Sequence, residues 1–174
     1  MCSSDLSVTI YEQQVQSEVL YCSGTRLYLW LMEFLLYLSP QGQQLIRDLI
    51  SAKFHIHENI GFCYNSQMFG YADNPNKFVI CTNNIRNGGW DMKHYISETV
   101  YHEAVHAAQM CNSNEPMGIS AKSMPLPWNK LQDIENSAKV SKAYKVYQKE
   151  HEAYYFEDKP EEVRYYVRKF CLDR

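Results

Sequence analysis

Met92-Lys93-His94-Tyr95-Ile96-Ser97-Glu98-Thr99-Val100-Tyr101-His102-Glu103-Ala104-Val105-His106-Ala107-Ala108-Gln109-Met110 is the stretch on which the reading of this chain turns. It contains no Gly or Pro, and Asp91 in front of it can cap a helix N-terminus. Ile96, Val100, Ala104 and Ala107 recur at helical spacing, with Tyr101, Val105 and Ala108 beside them, which predicts a largely buried helix. Ala107 and Ala108 are small, so a neighbouring element can approach closely there. Within this helix stands His102-Glu103-Ala104-Val105-His106. Residues four apart share a face, so both imidazoles can grip one metal ion. Glu103, on the adjoining face, can reach a metal-bound water without ligating the metal. Two nitrogen ligands, an open coordination position and a carboxylate base are the parts of a zinc peptidase site. The plain alternative is a solvated helix face with two unrelated histidines. The apolar residues around the pair argue against it, because buried histidines need polar partners and a metal supplies one.

Downstream, Asn112 to Gly118 reads as a turn, and the irregular stretch to Trp128 leads into a long helix expected from about Lys130 to Phe156, with Asn129 as its cap. A catalytic zinc site needs a third protein ligand, and this helix offers several. Residues 143, 146, 147, 150, 153, 154 and 157 share a face reading Ala, Val, Tyr, Glu, Ala, Tyr, Glu, so Glu150 is a carboxylate inside an apolar stripe. Glu152 falls with Lys145, Gln148 and Lys149, where solvated ion pairs are expected. Glu150 is therefore the expected ligand and Glu152 the alternative, with Glu157 and His151 behind them. A buried Tyr154 or His151 can stabilise an oxyanion. Lys159-Pro160 starts a final helix ending near Cys171.

Upstream, Lys77-Phe78-Val79-Ile80-Cys81-Thr82 has strand composition and runs into a polar turn, Asn83 to Gly89. An edge strand just before the active-site helix can take a polypeptide substrate as an extra strand. Asn83 and Asn84 are candidates to hold the substrate backbone, or they cap the turn. Phe54-His55-Ile56-His57 would place both histidines on one side of a strand, but with only Glu58 near them an independent metal site is not expected. Ser39-Pro40 starts a helix to about Lys53. Leu27 to Leu38 is apolar but contains Glu33 and is too short to span a bilayer. It reads as a buried helix, with contact to a membrane surface as the lesser reading.

The expected fold is therefore α+β: one helix-dominated, zincin-like metalloprotease domain over the 174 residues, with a small sheet over the active-site helix. Net charge is −3 with no basic block, which argues against nucleic acid as a partner. The N-terminus has neither a secretory signal nor an arginine-rich transit pattern. Cys2, Cys22, Cys63, Cys81, Cys111 and Cys171 form no Cys-x-x-Cys, so a structural zinc finger is not expected, while disulfides and reduced core thiols both fit.

The string Phe78-Val79-Ile80-Cys81-Thr82-Asn83-Asn84-Ile85-Arg86-Asn87, followed by His102-Glu103-Ala104-Val105-His106-Ala107 and then Cys111, resembles the Atp23 family. The resemblance covers residues 78–111. Gln109 stands where that family usually has Asp, and the paired upstream cysteines are not recognisable around Cys63. The resemblance implies a metalloprotease of the mitochondrial intermembrane space, an oxidising compartment, with zinc on His102 and His106. Glu150-His151-Glu152-Ala153 also matches the Glu-x-x-Ala of zinc proteases with a glutamate third ligand. Without that resemblance the cytoplasm is the default. Residues and resemblance lead to one expectation: an endopeptidase using Zn2+ on His102, His106 and Glu150, with Glu103 as general base. The competing expectation is a binding or assembly protein that keeps this fold with little or no proteolysis. An intact Glu103 favours the enzyme.

Overall fold

Ser39 opens the first helix, α1 (Pro40–Ser51). Its hydroxyl accepts the Gly42 N–H at 3.2 Å, and Pro40 occupies the first turn, where no amide hydrogen is needed. The computed structural model describes residues 32–73, 75–141 and 144–173. Of the apolar stretch expected as a helix from Leu27 to Leu38, residues 27–31 lie outside the described residues. Within the rest, Glu33–Tyr37 forms a short 3-10 helix that buries Phe34 rather than an α-helix. The Glu58 carboxylate holds its start, accepting the Glu33 N–H at 2.7 Å and the Phe34 N–H at 3.1 Å.

Three strands follow: β1 (His55–Glu58), β2 (Gly70–Asp73) and β3 (Lys77–Ile80). They pair in the order β1-β3-β2, with β1 parallel and β2 antiparallel to β3. The strand expected at an edge is therefore the central one. Its consecutive buried residues Phe78, Val79 and Ile80 suit a strand covered on both faces rather than an edge. The free edge beside the long helix belongs to β2. The polar run after β3 is not a plain turn either. Thr82–Asn87 forms a short helix, α2, whose buried Ile85 ties it to the core.

The long helix α3 (Met92–Cys111) stands as expected, with the Asp91 carboxylate accepting the His94 N–H at 2.7 Å. Ile96, Val100, Ala104, Val105, Ala107 and Ala108 are fully buried, and β2 and β3 lie against it. The expected single helix from Lys130 to Phe156 is two helices, α4 (Trp128–Ser141) and α5 (Tyr144–Phe156). Lys130 Nζ lies 2.5 Å from Glu157 Oε1. In one straight helix those residues would be about 40 Å apart, so α4 folds back along α5. Asn129 lies inside the first turn of α4 rather than capping it.

The chain ends with α6 (Pro160–Val167), continued by a π-type turn to Leu172 and packed on α1 and α3. Arg164 Nε meets the buried Asp48 at 2.6 Å across the α1–α6 contact. Disulfides join Cys63 to Cys81 and Cys111 to Cys171, the second fastening the end of α3 to the C-terminal turn. The Cys171 sulfur lies 3.8 Å from the Ala107 carbonyl, the close approach that the small residues of α3 allow. Cys2 and Cys22 lie outside the described residues. Among the described residues, no helix is long and apolar enough to cross a membrane.

Candidate metal centre

The pattern of α3 puts His102 and His106 one turn apart on the flank that faces α5. Their Nε2 atoms are 3.2 Å apart. Glu150 of α5 completes the group: its carboxylate lies 3.4 Å from His102 Nε2 and 3.5 Å from His106 Nε2. These three residues could together hold a metal ion, and they are the one such group among the described residues.

Each imidazole is held from behind by its other nitrogen. The Glu157 carboxylate accepts from His102 Nδ1 at 3.2 Å, and its second oxygen meets Lys130 of α4. His106 Nδ1 lies 2.8 Å from Gln109 Oε1. Both Nε2 atoms therefore face the shared point. The electrostatics ask for positive charge there. Burial alone would lower the His102 pKa, but hydrogen bonds with Glu150 and Glu157 outweigh it and push it up to about 10. Burial works against the Glu150 carboxylate as well. The two imidazoles overcome it and hold Glu150 well below the usual carboxylate range.

Glu103 is buried on the next face of α3. Burial pushes its carboxyl up, opposed by His106, by His102 and by a hydrogen bond from the Ala72 backbone. That bond locates the free edge of the sheet. Cys81 N donates to Phe69 O at 2.7 Å, one step beyond the pairing of Gly70 with Ile80. Antiparallel pairs alternate, so Gly70 and Ala72 turn their N–H and C=O groups away from β3, toward Glu103. Gly70 is required at this point. A Cβ there would sit 2.7 Å from Thr99 Cγ2 and 2.9 Å from the Val79 carbonyl oxygen.

Glu152, the alternative ligand, is not at this point and is not solvated. It is fully buried and accepts from Gln109 Nε2 at 2.9 Å and from the backbone N–H groups of Met117 at 2.7 Å, Gly118 at 3.1 Å and Ile119 at 3.3 Å. The helical wheel misplaced it because the loop after α3 folds over that face of α5, and a wheel does not see a loop. His151 is also buried, but its Nε2 is bound to the Met124 carbonyl at 2.8 Å. The Tyr154 ring lies 4.7 Å from that of His102, edge to face. Burial, and then the charges of Asp133, Glu150, Glu157 and Glu103, keep its phenol well above the usual value.

Asn83 and Asn84 are engaged in local structure. Arg86 donates to Asn83 Oδ1, and Asn84 Nδ2 donates to the Ser66 and Met68 carbonyls at 3.0 and 2.8 Å. His55 and His57 stand on β1, with His57 lowered by burial, by Lys77 and by His55. Sequence reading missed Lys130, Gln109 and the part of Ala72, and gave Glu157 the wrong role. Two of these had a signal: Gln109 is three residues after His106, and Glu157 is seven after Glu150, so each shares a face with a candidate ligand.

No curated protein and no solved structure matches this chain. One family model matches residues 34–172, which includes His102, His106 and Glu150. The chain belongs to that family, described as a domain of unknown function (DUF8637).

Proposed function

We propose that this protein is a zinc-dependent endopeptidase in which His102, His106 and Glu150 hold the metal and Glu103 is the general base. One observation carries the reading. The two Nε2 atoms lie 3.2 Å apart, and the Glu150 carboxylate meets each of them with a different oxygen, His102 at 3.4 Å and His106 at 3.5 Å. Tetrahedral zinc with nitrogen and oxygen donors at about 2.0–2.1 Å needs its ligand atoms about 3.3 Å apart. The donor set fits as well. Both Nδ1 atoms are turned to acceptors, which leaves two Nε2 lone pairs and a carboxylate converging on one point. A divalent cation would satisfy these donors together. The resemblance of residues 78–111 to the Atp23 family supports the same chemistry.

A bound zinc would lower the pKa of its water and polarise the scissile carbonyl. Glu103, beside the two histidines, takes the water's proton and passes it to the leaving amine. Tyr154 keeps its phenolic proton and stands against His102, so it is placed to donate to the oxyanion. The groups of Gly70 and Ala72 turned away from β3 offer the substrate backbone an edge to pair with once the Ala72 N–H leaves Glu103, a role the sequence reading had given to β3. The two disulfides support an oxidising compartment.

The test is hydrolysis of a quenched peptide library by zinc-loaded protein. Glu103→Gln should keep zinc and lose activity by at least ~100-fold, because general-base catalysis contributes 10²–10⁴-fold. Equal cleavage by this variant would remove Glu103 from the mechanism. A wild type that binds zinc and cleaves nothing would favour the binding or assembly role.

A further inference from the structure

The supports behind the two histidines differ in kind. His102 is backed by a carboxylate, Glu157, and His106 by an amide, Gln109. Gln109 is 1% exposed, and both hydrogens of its amide and its oxygen find partners. Its Nε2 donates to the Lys149 carbonyl at 3.1 Å and to Glu152 Oε2 at 2.9 Å. Two acceptors on the nitrogen leave Oε1 to face His106, so His106 Nδ1 must be the donor. The flipped amide would set Oε1 against the Glu152 carboxylate. Glu152 is itself fixed by the N–H groups of residues 117–119, so the amide cannot turn. Lys149 is the residue before Glu150. One amide therefore sets the tautomer of His106 on α3 and grips α5 beside the third ligand.

We propose that Gln109 is a positioning residue of the metal centre and that the position requires an amide, with an acceptor toward His106 and donors toward α5. The loop from Met117 to Ile119 is thereby part of the centre's outer support through Glu152. A bare acceptor would orient His106 but would neither grip Lys149 nor tolerate Glu152. A bare apolar group would fill the space and orient nothing. This proposal rests on His102, His106 and Glu150 being metal ligands.

The test compares wild type, Gln109→Met and Gln109→Glu in chelator competition for Zn2+, with the visible spectrum of the Co2+-loaded proteins as a measure of ligand geometry. Both variants should bind Zn2+ 10–100-fold more weakly, the usual cost of losing an outer-shell partner, and both should shift the Co2+ bands. Wild-type affinity and an unchanged spectrum in Gln109→Met would overturn the proposal. Wild-type affinity in Gln109→Glu alone would overturn the requirement for an amide. A wild-type chain that takes up no metal would instead overturn the ligand assignment beneath it. Should the variants fail to fold, ¹⁵N spectra of the zinc-loaded wild type decide. His106 must carry its proton on Nδ1, and a deprotonated or metal-bound Nδ1 overturns the assignment.

Discussion

Removing Glu152 should damage the fold, whereas removing Glu150 should damage the metal centre. In Glu152→Ala four donors lose their acceptor: Gln109 Nε2 and the N–H groups of Met117, Gly118 and Ile119. An unsatisfied buried donor costs about 1–3 kcal/mol. Gly118 is exposed and its loop can shift to reach water, but Gln109 is sealed in, as is the space left by the carboxylate. Charging one to two donors gives a loss of about 2–4 kcal/mol, a large part of the ~5–15 kcal/mol that holds a domain of this size. The Glu150 side chain is 23% exposed and meets only the two imidazoles. Its removal should cost the metal-free fold less than that, because solvent can reach the space it leaves. Its zinc affinity should fall by at least ~100-fold, beyond the range of outer-shell changes. Urea denaturation of the chelated proteins measures the first quantity and chelator competition the second. If Glu152→Ala unfolds within 1 kcal/mol of wild type yet loses zinc, while Glu150→Ala keeps it, the two carboxylates have been assigned the wrong way round.

Gly70→Ala should push β2 off α3 where the strand meets Glu103, at a cost of about 1–3 kcal/mol for overpacking and with a fall in peptidase kcat. Thermal unfolding and peptide turnover check it, and an unchanged Tm would mean the strand has room to spare. The pH dependence of the metal-free protein follows from His102, whose pKa is opposed by burial but raised to about 10 by Glu150 and Glu157. A raised pKa stabilises the fold fully below the unfolded value of about 6.5, and that stability is lost as pH rises toward 10. Chelated protein should therefore lose urea resistance across that window, and a midpoint that stays level would argue against the pairing.

The features that followed from the sequence are those set by local periodicity. The apolar recurrence of Ile96, Val100, Ala104 and Ala107 placed α3 and oriented its histidines, and Ser39-Pro40 and Lys159-Pro160 marked helix starts that the structure keeps. The larger errors were non-local. Whether Phe78-Val79-Ile80 lies at an edge depends on which strands pair on either side, and β1 and β2 come from the turn-rich stretch between His55 and Asp73, whose pairing no spacing announces. A helix pattern running through 141–144 carries no mark of a reversal; the fold-back is enforced by contacts such as Lys130 with Glu157. Glu152 looked solvated among Lys145 and Lys149 because its donors are backbone groups of another segment.

The fold-back of α4 matters to the chemistry beyond its topology. It brings Lys130 to the oxygen of Glu157 that His102 does not use. Without that partner Glu157 would be a third unneutralised carboxylate, close to Glu150 and Glu103, and three such groups around His102 and His106 would repel one another. Burial works against the Lys130 charge, but the hydrogen bond with Glu157 and the nearby Glu98 and Asp133 hold its pKa above the usual value, so the cation persists. With Glu157 neutralised by Lys130, the charge left at the centre is that of Glu150 and Glu103. One divalent cation balances those two carboxylates. The helix that the sequence could not bend thus sets the charge around His102, His106 and Glu150, the group that could hold a metal ion.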